Sequence, residues 1–238
     1  LRAGVAGPPA GPAGEPRDGE PGTDAVSFVL DAAEWGQFRV WRKATHPEVS
    51  VAALMASAAY RALSNQGLPM NPEGFYTLVD LRRHLPKGQQ LRPGNLAKSV
   101  YVAAAMDNPV EVGVALRHLV DSGRAVPALF AGAASAALGR HSEPAESIGG
   151  AQATMIFNSM LRLPGADHIP WTDRDTARYF TTSFPVAPNG ISVMACGVED
   201  KVHFSATFDP RFVDRNTMRL ALDELQDMRA LLEPGSAM

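Results

Sequence analysis

The sequence predicts an α/β fold, a two-layer sandwich in which helices cover one face of a mixed sheet. Three observations carry that expectation. Short apolar runs of strand length alternate along the chain with amphipathic stretches of helix length. Residues 190–209 read as a hairpin, "GISVMACGV" turning at Glu199-Asp200 into "KVHFSATFD", whose second strand alternates strictly. Hydrophobic residues make up 45% of the 238 positions and charged residues 20%, values of a chain with a packed core.

The elements follow in order. Residues 1–22 stand apart: eleven of these twenty-two are Gly or Pro, too few large apolar groups to offset the entropy of ordering them. Residues 1–24 are therefore read as a flexible tail or linker, residues 25–233 as the folded unit, and residues 234–238 as a short tail. "AVSFVL" (25–30) is a strand, and residues 31–44 form a helix with Trp35, Phe38 and Trp41 on one face. The clearest helix spans 46–63, where Val51, Leu54, Met55, Ala58 and Ala62 recur at three-and-four spacing before Gly67 and Pro69. "FYTLVDL" (75–81) is apolar on both sides of its alternation, so it belongs inside the sheet. "SVYVAAAM" (99–106) is the next strand.

Asn108, Pro109 and Glu111 then make a helix start: a capping side chain, a ring suited to the first turn, and an acid three residues after the cap. Val112, Ala115, Leu116 and Leu119 face inward on that helix, and Gly123 interrupts it. An Ala-rich helix at about 126–138, a loop at 141–152 and a strand at 153–160 come next. Irregular chain leads through "RYFTTSFPV" (178–186) to the hairpin. A last helix, 214–232, turns Met218, Leu222, Leu225, Met228 and Leu232 inward.

Composition narrows the function classes. A net charge of −3 provides no field that would gather nucleic acid or an anionic membrane surface. No run approaches the apolar length of a transmembrane helix, and the chain begins at Leu1 without a signal-peptide pattern, so a cytoplasmic fragment or processed product is expected. One cysteine, Cys196, excludes an internal disulfide; lying mid-strand between Ala195 and Gly197, it reads as a buried, inert thiol.

The catalytic inventory is thin. There is no nucleophile elbow, phosphate loop or dinucleotide fingerprint. His46, His84, His118, His141, His168 and His203 are scattered, with no pair at metal-ligand spacing, so no metal is expected. His203 alternates outward on its strand and is read as solvated, and His118 as lying on a helix surface. His168 is left between a structural hydrogen bond and a functional role. Asp173 and Asp175 around Arg174 fit a capped turn. Asp80 and Arg82, where "FYTLVDLRRHLP" runs from apolar strand into charge, fit a salt bridge that fixes the following loop.

Five segments in order carry a resemblance: "VSVAALMASAAYRAL", "FYTLVDLRRHLP", "RPGNLAKSVYV", "TMIFNSMLRLPGADHIPW" and "GISVMACGVEDKVHFSATFDPRFVDRNTMRLALDEL". Together, over about residues 25–232, they resemble the second half of the chloramphenicol-acetyltransferase-like superfamily. That superfamily includes peptide-synthetase condensation domains, polyketide-associated acyltransferases and wax ester synthases. The resemblance implies a CoA-dependent acyltransferase-like fold of two α/β lobes with an active-site tunnel between them, this chain being the C-terminal lobe. The first lobe of the family carries His-His-x-x-x-Asp-Gly, whose second His is the general base on an acceptor hydroxyl or amine. No His-His occurs here, so the resemblance implies no catalytic residue on this chain and an N-terminal lobe supplied in cis or in trans. The Gly/Pro-rich start then reads as the segment joining the lobes.

The co-substrate implied is an acyl-CoA or phosphopantetheine thioester, with no cofactor bound. Asn158 and Ser159 are the implied tunnel candidates, a strand-end cap being the alternative for both; the family order Ser-Asn is reversed here. Asp80, Arg82 and Asn95 are assigned to fixing loops, Asn95 as a turn residue after Gly94. Ala52-Ala53, where wax ester synthases have Asn-Asp, and "VDLRRHLP" lean towards condensation or polyketide-associated enzymes. A lobe of this kind should expose an apolar face where its companion sits. The alternative function is a non-catalytic binding or scaffold module that keeps the fold.

Overall fold

Side chains capped at their starts and apolar on one stripe build the helices of this protein, whose computed structural model describes residues 22–88, 97–123, 126, 152–162, 168–173, 176–183, 185, 187 and 189–233. Strand β1 (Asp24–Leu30) leads into helix α1 (Ala32–Thr45), where Asp31 accepts the Glu34 N–H at 2.9 Å. Helix α2 (Val51–Asn65) starts five residues later than the periodicity suggests. The reason is local: Ser50 Oγ caps it from the Ala53 N–H at 3.2 Å, and the Arg42 guanidinium holds the carbonyls of Pro47 and Val49 in the preceding turn. Strand β2 (Gly74–Asp80) passes through a 3₁₀ turn (Leu81–His84) towards β3 (Ala97–Ala103). Asn108 caps α3 (Pro109–Asp121) from the N–H groups of Val110 and Glu111, while the Glu111 carboxylate accepts the Ala105 N–H at 3.0 Å.

Strands β4 (Met155–Met160), β5 (Ile191–Val198) and β6 (Lys201–Phe208) follow. The expected last helix is divided. Helix α4 (Arg215–Glu224) ends in a 3₁₀ turn (Leu225–Asp227), and Asp227 caps a new start, α5 (Met228–Leu232). The expected Ala-rich helix at 126–138 and loop at 141–152 lie, but for residues 126 and 152, outside the described residues, as does Asn95. The expected linker 1–24 is described only from residue 22, and β1 already includes Asp24.

The strands form one mixed sheet in the order β1-β6-β5-β4-β2-β3. Its β4–β5 and β2–β4 pairs are parallel, and the other three are antiparallel. Strand β2 is interior, paired on both sides. Period-two alternation divides the side chains between two faces. Phe75, Phe157, Val193, Phe204 and Phe208 point to the helical side and join Leu54, Met55, Leu63, Met218 and Leu222 in one core. Helix α2 is buried nearly all round because it lies between the sheet and α3, α4 and α5, and its alanines permit that close approach.

The other face corrects one expectation. His203 is not solvated: it is 3% exposed. Alternation does place it away from the helices, but residues 176–183 run over that side of the sheet and cover it. Ser192, Cys196, Ser205 and Thr207 are buried on the same face. His118, by contrast, is exposed on α3, and His168 is exposed in its loop.

Candidate functional site

Parallel strands β2 and β4 share a single registered pair, Tyr76 with Ile156. Beyond it they part, and the side chain of Asn158 enters the gap. Its Oδ1 accepts the Leu78 N–H at 2.5 Å, with the Thr77 hydroxyl 3.4 Å away. Among the described residues its Nδ2 meets only the thioether of Met194, at 3.3 Å. Asn158 is 5% exposed, so the amide replaces a ladder bond that the diverging backbone can no longer make.

A groove of about 390 Å³ opens on the helical side of this gap, walled by residues 77–80 of β2 and by Leu116, Leu119 and Val120 of α3. Asp80 sits at its end. One carboxylate oxygen accepts the Arg82 N–H at 2.9 Å and also meets the Arg82 guanidinium at 3.2 Å. The charges that follow the apolar strand thus cap the 3₁₀ turn and pair with each other. Asp80 is exposed and Arg82 half-buried, and such surface pairs contribute only about 0–1 kcal/mol, so the backbone cap is the larger part of their effect.

Asn158 and Ser159, adjacent in sequence, face opposite sides of the sheet. Asn158 shares the face of Met194 and Ser205, while Ser159 is in register with Ala195, a residue of the helical core. The two therefore do not line one cavity together. This separation was available in the sequence from strand periodicity alone. The groove presents the Thr77 hydroxyl and the Asp80 carboxylate; neither Asn158 nor an imidazole is among its lining residues. Among the described residues no group of three His, Cys, Asp or Glu could hold a metal ion.

The two remaining chemically distinctive side chains lie on the non-helical face. Burial pushes the Cys196 thiol up to about 11, which leaves it protonated at neutral pH. Opposite it across the β5–β6 pair, burial and then the positive charges of Lys201 and Arg178 hold the His203 imidazole below its ordinary range. Sequence reasoning did not find the cover over these residues. The available signal was the run of small polar residues, Ser192, Ser205 and Thr207, on a face otherwise expected to meet water.

Leu78 and Met160, on neighbouring strands of that face, remain 44% and 36% exposed, and Phe180 in the covering segment is 60% exposed. No described helix is long and apolar enough to cross a membrane.

No protein-family model matches the sequence, and no curated protein matches it. Solved structures share the fold. The chain superposes on TRI3 trichothecene 15-O-acetyltransferase from Fusarium sporotrichioides with a TM-score of 0.61 at 12% identity, over 95% of this chain and 50% of that one. The EpoB nonribosomal peptide synthetase cyclization–docking bidomain from Sorangium cellulosum gives 0.58 at 14% identity, over 98% and 48%. The epimerization domain from the third module of tyrocidine synthetase B gives 0.53 at 12%, over 91% and 49%. The chain thus spans about half the length of each, and its fold is α/β of the condensation and CoA-dependent acyltransferase-like type.

Proposed function

We propose that this chain, folded like half of a CoA-dependent acyltransferase-like protein, is the C-terminal lobe of an acyl-transferring or condensing enzyme. The observation that carries the reading is the match of nearly the whole chain to about half of much longer acetyltransferase and peptide-synthetase chains.

In the complete protein, an imidazole on the companion lobe takes the proton of an acceptor hydroxyl or amine. The acceptor attacks the thioester carbonyl, a new C–O or C–N bond forms, and the C–S bond breaks. The departing thiolate then receives the proton. This chain supplies the facing wall. Asn158 is its best-placed polar group, because a thioether is a weak acceptor and a pantetheine amide or thioester carbonyl would satisfy Nδ2 better. Asp80 and Arg82 hold the turn at the end of the groove. The exposed Leu78, Met160 and Phe180 are apolar surface for the companion lobe, in cis or in trans. The donor is an acyl-CoA or a carrier-bound phosphopantetheine thioester, and we place the reaction in the cytoplasm.

The experiment compares acyl transfer from acetyl-CoA and from acyl-pantetheine thioesters to hydroxyl and amine acceptors. One protein is the present chain; the other is the chain joined to whatever coding sequence precedes it. Turnover by the longer protein alone is expected. Robust turnover by the present chain overturns the half-enzyme reading. Inactivity of a folded longer protein favours the non-catalytic module, a reading suited to the engagement of Asn158 and Asp80 in the chain's own bonds.

A further inference from the structure

The segment over the non-helical face is fastened by side chains of the sheet rather than by a ladder. Among the described residues, side-chain bonds at three positions two residues apart hold it, Ser183 also touching the Met194 thioether. His203 Nδ1 accepts the Tyr179 N–H at 3.2 Å, Ser205 Oγ donates to the Thr181 carbonyl, and the hydroxyls of Ser183 and Ser192 bond each other. The segment therefore runs along β6 and steps onto β5. Its own side chain Phe180 points outward, 60% exposed, so little apolar burial adds to the polar fasteners.

The three fasteners differ chemically. Hydroxyls keep their donors and acceptors at any ordinary pH. An imidazole does not. To accept at Nδ1 the ring must be neutral, with its proton on Nε2. A second proton can go only to Nδ1, and Nδ1–H then faces the Tyr179 N–H, donor against donor. The groups around the ring make the change sharper. Lys201 on β6 and Arg178 in the covering segment are positive. Cys196 on β5 is a protonated thiol, and Val29 opposite on β1 carries no charge. Among the described residues, the charges that act on the ring are positive.

We propose that His203 pins a releasable strap: protonation of its imidazole unfastens residues 178–183 and bares the sheet face beneath them. The sign follows from the ring's two environments. Covered, His203 binds a proton less readily than the ordinary value of 6.5; uncovered, it returns towards that value. The closed strap is fully favoured above 6.5 and loses ground as pH falls below it. The inference does not depend on the acyl-transfer reading, because it concerns only contacts within this chain.

Amide hydrogen exchange at pH 7.5 and 5.5, expressed as protection factors, tests it. Protection of the Tyr179 amide and its neighbours through residue 183 should fall, by at most about tenfold, one pH unit below the open-state value being worth a factor of about ten when the covered ring stays neutral. Amides of α2 should stay protected. His203→Gln keeps a side-chain acceptor without a proton equilibrium, so its strap protection should not change with pH. Ser205→Ala should lower protection while retaining the wild-type pH dependence. Flat wild-type protection overturns the proposal. So does equal pH dependence in His203→Gln, or a parallel loss of protection in α2, which would mean global acid unfolding instead.

Discussion

Replacing Asn158 by Leu removes the group that stitches β2 to β4 while nearly preserving volume. The Leu78 N–H loses its acceptor at 2.5 Å and the Thr77 hydroxyl loses a neighbour at 3.4 Å. An orphaned buried donor costs about 1–3 kcal/mol. The Leu78 side chain is 44% exposed, so water reaches part of the gap and the lower half of that range applies. The weak contact of Nδ2 with Met194 adds little, and a similar side-chain volume avoids a cavity. The expected loss is about 1.5 kcal/mol, which for a chain of this size lowers Tm by about 3–6 °C. Asn158→Asp keeps the acceptor but places a charge where the native residue is 5% exposed, so it should be the less stable variant at neutral pH and regain stability as acid neutralises it. Thermal unfolding followed by circular dichroism measures both. A Tm for Asn158→Leu within about 1 °C of wild type would refute the stitching argument.

Three further outcomes follow from the packing and the charges. Gly197→Ala puts a Cβ 2.1 Å from the Leu161 carbonyl oxygen, a backbone clash with no flexible end to move, and should lower stability by about 3 kcal/mol in urea titrations. Cys196, 1% exposed with its thiol pushed up to about 11, should resist iodoacetamide at pH 8 in the native protein and react once unfolded; rapid native labelling would contradict its burial. Burial raises the Asp209 carboxyl, but the hydrogen bonds and charge of Arg211 outweigh it and leave the group below 3.8. Its stabilisation is present above that value and lost as pH falls through the lower folded one, so wild type and Asp209→Asn should converge in urea midpoint below about pH 3.8 and differ constantly above it.

The elements were legible wherever apolar period and cap agreed. Asn108 marks the start of α3, and the alternation through Val202, Phe204, Ala206 and Phe208 marks β6 and its hairpin. The start of α2 was not, because the Arg42 contacts that hold its preceding turn are made by another helix. Strand order was not legible either: β4 lies between β2 and β5 through parallel pairings that leave no local signature. His203 shows the limit most clearly. Alternation reports which way a side chain points, not whether that side is wet, and its cover comes from irregular chain twenty-four residues earlier. Asn158 was singled out through the family resemblance, as a tunnel candidate or a strand-end cap. Its bond to Leu78 depends on two strands diverging after a single registered pair, which only the assembled sheet reveals.

Complementation tests whether this lobe is, as proposed, one wall of a shared catalytic cleft. The chain is held at fixed concentration, and a separately expressed N-terminal companion bearing the His-His-x-x-x-Asp-Gly sequence is titrated in while thiol release from an acyl thioester is followed. Negligible release is expected without the companion, and a rise that saturates at equal amounts of the two. Acceptor-dependent release that is already maximal before any companion is added would contradict it.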